Sequence, residues 1–126
     1  MYKLFSLERA QQMIPVVDAH IAALQRTMSD MNDAKRRLAK TGAHDPEALN
    51  ARQEAAFLTQ EARETAEALA RLGVQVEDLE AGVALFPSRI DGEVVNLVWE
   101  RGEDAITHYA RLTGDDTLRP LGPSGP

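Results

Sequence analysis

Apolar residues at Ile14, Val17, Ile21, Leu24, Met28, Met31 and Leu38 recur in alternating steps of three and four, with Lys35 the one polar interruption. Nothing else in the chain restricts the fold as much. A heptad stripe of this length requires a long helix that buries one narrow seam. Ser6 is a suitable N-cap and Glu8 complements the first turn, so helix one is expected over residues 6–40. Pro15 lacks the N–H of an interior helical residue, and a kink or break is expected there. The stripe ends at Thr41-Gly42, where glycine suits a helix C-cap, and Asp45-Pro46 restarts a helix with an acidic cap and a proline at the first position. Helix two is expected over residues 45–72. Its seam is Ala51, Ala55, Leu58, Ala62, Thr65, Leu69 and Leu72, with the same spacing but smaller side chains. Large residues on one helix facing small ones on the other describe an antiparallel, coiled-coil-like hairpin.

After Gly73 the apolar period becomes two. Residues 84–90 and 93–99 flank Asp91-Gly92, a strong signal for a two-residue hairpin turn. That turn pairs Phe86 with Leu97 and Ser88 with Val95, and it places Phe86, Ile90, Val95, Leu97 and Trp99 on one face, taken as the core. Pro87 cannot donate to a ladder, so its strand is expected to be an edge at least locally. A third strand is expected over 105–112, and Val74 to Val76 is a candidate fourth. The expected fold is α+β: one domain over residues 1–126, with a long helical hairpin, a β region over 74–112 forming an antiparallel sheet of three to four strands, and an irregular tail over 113–126. The Gly- and Pro-rich end of that tail is expected to be disordered.

Composition narrows the functional classes. The formal net charge is −6, which disfavours broad binding to polyphosphate but leaves open a local basic patch. There is no cysteine, which removes disulfides, thiolate metal sites and a cysteine nucleophile, and which fits a reducing cytoplasm. The opening residues lack the apolar stretch of a signal peptide, and no window approaches the roughly 20 apolar residues of a membrane span. A cytoplasmic protein without membrane association is expected.

No catalytic or cofactor motif stands out. His20, His44 and His108 have no metal-ligand spacing, and neither helix carries the Glu-x-x-His motif of a carboxylate-bridged metal site, so neither metal nor cofactor is expected. The run Glu77-Asp78-Leu79-Glu80 lacks the spaced oxygen ligands and central glycine of a calcium loop and reads as a solvated turn. Three sets of residues remain as candidates. Lys35, Arg36, Arg37 and Lys40 form a basic cluster at the hairpin tip. They offset the helix dipole or, in an alternative reading, grip a phosphate backbone or an acidic partner. Trp99, Glu103, His108 and Tyr109 mark a weaker candidate face for a small ligand or an enzyme site between sheet and helices. Ile14, Val17, Ile21, Leu24, Met28 and Met31 carry more apolar surface than one partner helix covers, which points to a homodimer formed through the helices.

Several short segments place the chain near a known family. Phe5-Ser6-Leu7-Glu8-Arg9-Ala10 with Ile14-Pro15, Leu72-Gly73-Val74, Gly82, Phe86-Pro87, Asp91-Gly92, Trp99, Gly102-Glu103 and Arg119-Pro120-Leu121 resemble the bacterial domain-of-unknown-function family DUF2203. Leu85, Val98, Glu100 and Tyr109-Ala110 stand where that family tends to have Asp, Cys, Arg and Trp-His. The shared positions are structural and the departures are polar. The resemblance therefore implies the fold and supplies no activity. A non-enzymatic interaction or scaffold module is the expected function, with the nucleic-acid and small-ligand readings as alternatives.

Overall fold

The structure, a computed structural model, describes residues 3–42, 44–112 and 117–122. Two helices, α1 (Leu7–Lys40) and α2 (Pro46–Leu72), pack as an antiparallel pair. A five-stranded antiparallel sheet follows, with strands β1 (Gln75–Asp78), β2 (Val83–Ile90), β3 (Glu93–Glu100), β4 (His108–Arg111) and β5 (Arg119–Pro120) in sequential order. The class is α+β, and the sheet has one strand more than the three to four expected. The additional strand lies in the stretch expected to be irregular: Arg119 and Pro120 pair with Tyr109 and His108. β4 begins three residues later than expected. Residues 113–116 and 123–126, where the rest of the irregular and disordered tail was placed, lie outside the described residues.

The helix termini follow from the capping residues. The Ser6 hydroxyl accepts from the Arg9 N–H at 3.0 Å, and the Asp45 carboxylate accepts from the Glu47 N–H at 2.9 Å. α2 ends at Gly73, whose φ of +89° lets its N–H reach back to the Ala70 carbonyl. α1 runs without a break through Pro15, which deprives one carbonyl of its donor without ending the helix.

The seam of α1 differs from the expected one in detail. Val17, Ile21, Leu24 and Met31 are buried, but Met13 is buried in place of Ile14, which is half-buried, and Met28 is 36% exposed. At the polar interruption the seam continues through Ala34, one residue before Lys35. A straight helix drifts relative to a heptad repeat, and the buried face shifts accordingly. The α2 seam matches the expected one, with Ala48 extending it toward the loop.

The basal half of the hairpin sits on the sheet. Ala10, Met13, Val17, Ile21 and Leu24 from α1 and Leu69 from α2 join Phe86, Leu97 and Trp99 in one core. Beyond Leu24 the hairpin is held by its own seam of Met31, Ala34, Ala48, Ala51 and Leu58. The β2–β3 register pairs Phe86 with Leu97 and Ser88 with Val95 across the Asp91-Gly92 turn. β1 covers β2 only as far as Leu85, so β2 is locally an edge at Pro87. The Phe5 N–H uses that edge, donating to the Pro87 carbonyl at 2.7 Å, and the Phe5 ring meets Phe86 edge-on at 5.4 Å. The N-terminal segment is thereby fixed against the sheet.

Polar contacts tie α1 to both turns at the end of the sheet. Arg101 donates to Asp18 at 2.8 Å and to Gln25 at 2.9 Å, and Gln25 donates to the Leu79 carbonyl at 3.0 Å. The acidic run expected as a solvated turn is divided: Glu77 and Asp78 end β1, and only Leu79 and Glu80 are in the turn, where the Asp78 carboxylate accepts from the Ala81 N–H at 3.1 Å.

Candidate functional site

The four members of the basic cluster lie at the distal end of α1, and local acids engage two of them. Arg36 pairs with Asp33. Arg37 crosses to α2 and pairs with Glu54 and, at 3.4 Å, with Glu47. Hydrogen bonding to Glu54 raises the Arg37 pKa further, so its charge is committed to holding the two helices together. Lys35 and Lys40 are exposed. The field that the cluster presents is therefore smaller than four adjacent cations suggest.

Trp99, Glu103, His108 and Tyr109 do not converge on one site. Leu97 pairs with Tyr109 and Val98 with His108. Directly opposed residues share a face of a sheet, so Trp99 and Tyr109 point to the core and His108 points to the opposite face. Trp99 is 1% exposed, and its indole N–H donates to the Glu103 carbonyl at 2.9 Å. The Glu103 carboxylate accepts from the Glu100 N–H at 2.8 Å. Both groups are used in closing the β3–β4 turn. His108 Nδ1 is hydrogen-bonded to the Thr107 hydroxyl at 2.8 Å. A shallow depression of about 440 Å³ beside Trp99 and Glu103 also borders Pro15 and Asp18, but it does not reach His108 or Tyr109. His20, His44 and His108 are dispersed over α1, the helical loop and β4.

Among the candidate interface residues, Val17, Ile21, Leu24 and Met31 are consumed within the chain by α2 and the sheet. The premise that the α1 seam has surplus apolar surface is therefore corrected. The sheet and the small residues of α2 cover the stripe, and only Met28 and part of Ile14 remain accessible. The large exposed apolar groups of the hairpin are instead Leu49 and Phe57 on α2, with Val16 on α1.

One concavity among the described residues has no counterpart in the sequence pattern. It is an open groove of about 1040 Å³ where the hairpin meets β1. Leu24, Leu69, Val74, Val76 and Leu79 line its floor, and Ala62, Ala66 and Ala70 form its α2 wall. These residues come from α1, α2, β1 and the following turn, so no local spacing brings them together. The one sequence signal is Ala66 and Ala70, small residues on α2 that extend from the seam residue Ala62 to the side of the row that faces α1.

At the far end of the sheet, Arg111 on β4 makes a two-pronged contact with Glu93 on β3, at 2.7 and 3.0 Å. This hydrogen bonding holds the Glu93 carboxyl below the usual carboxylate range. Such a group adds stability above its unfolded pKa and loses it as pH falls through the folded one. Arg111→Gln should move the Glu93 titration, followed by carboxyl NMR shifts, upward toward the ordinary value. An unmoved midpoint would show that the contact does not persist in solution.

The architecture is that of a small α+β protein with a projecting helical hairpin, an adjoining meander sheet and an apolar groove between them. The chain belongs to the family described as "Uncharacterized conserved protein (DUF2203)", whose model matches residues 3–115. Comparison with curated proteins and with solved structures gave no match. No helix among the described residues is long and apolar enough to cross a membrane.

Proposed function

We propose that this protein is a non-catalytic interaction module that homodimerises through the outer surface of its helical hairpin. The observation that carries this reading is Phe57, an aromatic side chain in the middle of α2 that is 64% exposed, with Leu49 at 52% two turns earlier on the same helix. Aromatic anchors of this kind dominate binding energy when a partner surface desolvates them. A two-fold axis beside α2 brings the same patch of two copies together, which is the usual form of a homodimer contact. The flanking Glu61 and Glu64 supply a polar rim. The absence of cysteine supports a cytoplasmic location for this module.

Light scattering at micromolar concentration is expected to return twice the chain mass. Phe57→Glu should weaken the dimer by about 30-fold or more, the effect of losing an interface hot spot of about 2 kcal/mol. Its circular dichroism should be unchanged, because the site is exposed in the single chain. A wild-type protein that stays monomeric across that range removes this reading.

A further inference from the structure

We propose that the groove between α2 and β1 is a binding site for a single acyl chain with a carboxylate head, a fatty-acid-like amphiphile. Three observations carry this. The floor is apolar throughout, and the open groove, at about 1040 Å³, slightly exceeds the roughly 300–1,000 Å³ of ordinary ligand sites. The α2 wall is long enough for such a chain. From Thr59 to Ala70 a helix rises about 16 Å, and an extended chain covers that length with about 13 carbons at the advance of about 1.25 Å that normal bond lengths and angles give. Third, every ionisable residue on the lining is a cation, namely Lys3, Arg63 and Arg71, in a chain whose net charge is −6.

The cations also have a direction. The Lys3 side chain lies across Gly73, its carbons 3.2 Å from where a Cβ at that position would stand. Arg71 is two residues before Gly73, so these two charges share one end of the groove. Arg63 stands about two helical turns further along the rim. Arg71 and, across Gly73, Lys3 also offset the C-terminal dipole of α2, but Arg63 stands outside that last turn. Among the described residues none of the three is in an ion pair, in contrast to Arg36 and Arg37 at the tip. An apolar trough with a cationic end complements an alkyl chain with an anionic head. This site is separate from the proposed dimer surface, because Phe57 and Ala66 are nine residues apart, two and a half helical turns, and so lie on opposite sides of α2.

Isothermal titration of the full chain with sodium laurate, below its micelle concentration, tests the proposal. One laurate per chain is expected. Octanoate should bind about 15-fold more weakly, the effect of removing four half-buried methylenes. Dodecyltrimethylammonium should not bind measurably. Ala66→Phe, which fills the groove from an exposed helix position, and the double variant Lys3→Glu/Arg71→Glu should each weaken laurate binding at least tenfold while keeping the native circular dichroism. If Ala66→Phe disturbs the fold, Ala70→Phe serves in its place. No heat with laurate, equal binding of the cationic detergent, or unchanged affinity in the variants overturns the proposal. Binding of dodecyl phosphate without laurate overturns the carboxylate assignment. A change in the mass of the unliganded Ala66→Phe protein by light scattering shows instead that the groove is a contact between copies. Failure of the laurate arms leaves the Phe57 dimer test unaffected.

Discussion

Ile21→Asp is expected to abolish cooperative unfolding, or to lower the melting temperature by about 10–20 °C, the shift that a loss of about 4 kcal/mol produces in a domain of this size. Ile21 is fully buried in the core that joins α1, Leu69 and the sheet. Aspartate there removes an aliphatic side chain, leaves a cavity, and sets an unpaired carboxylate in an apolar environment. The first two effects together cost about 2–5 kcal/mol, a large part of a typical domain stability, and the third prevents relaxation by simple repacking. Lys35→Asp, on an exposed position of the same helix, is the control and should leave the melting temperature nearly unchanged. The comparison is a test of helical phase: similar melting temperatures for the two variants would mean that α1 presents a different face to the core. Thermal unfolding followed by circular dichroism at 222 nm, the usual helix signal, gives the answer.

The phase of that helix was largely readable in the sequence, and its deviations have a physical origin. Val17, Ile21, Leu24 and Met31 stand out because large aliphatic residues at three-and-four spacing have no other economical arrangement. Ala34 is not marked as a seam residue by its sequence, because alanine is equally at home on a buried or an exposed helix face. Met28 shows the converse: an apolar residue at a heptad position is still exposed where the partner helix does not reach it. The turns were readable because their chemistry is local. Asp45-Pro46 and Asp91-Gly92 fix backbone conformations by themselves, and Asp91 indeed takes a φ of +51°. The β2–β3 register followed from the second of these.

What was not readable depends on contacts remote in sequence. Arg119-Pro120 is too short to show a period of two, and it becomes a strand only because β4 offers an unpaired edge. The proposed ligand face grouped Trp99, Glu103, His108 and Tyr109 by their closeness along the chain. Neighbouring residues on a strand point to opposite faces, and that alone separates His108 from Tyr109. The groove joins Lys3, Leu24, Ala66 and Val76, which share no local pattern at all. The basic tip is visible as a charge run, and the Arg36–Asp33 pair is local to α1, but the pairing of Arg37 with Glu47 and Glu54 requires the two helices to be in place.

Trp99→Ala is expected to destabilise the fold by about 3–5 kcal/mol, the range for removing a large aromatic side chain from a packed core. Trp99 is the only tryptophan and is 1% exposed between the sheet and α1. Its loss leaves a cavity under the first turns of α1 and also frees the Glu103 carbonyl that the indole N–H satisfies at 2.9 Å. Trp99→Phe separates the two contributions. It retains most of the packing and removes the donor, so about 1–3 kcal/mol should be lost. Glu103→Ala keeps the backbone carbonyl that Trp99 uses and loses only the side-chain contact to the Glu100 N–H, so its effect should be the smallest of the three. Urea unfolding followed by circular dichroism measures all three without relying on the indole that two of them remove. The order Trp99→Ala, Trp99→Phe, Glu103→Ala identifies these residues as the closure of the β3–β4 turn. If Trp99→Ala instead left stability within about 1 kcal/mol of wild type, the ring would not be carrying the core, and the conservative explanation for a buried tryptophan at this position would have to be given up in favour of a site.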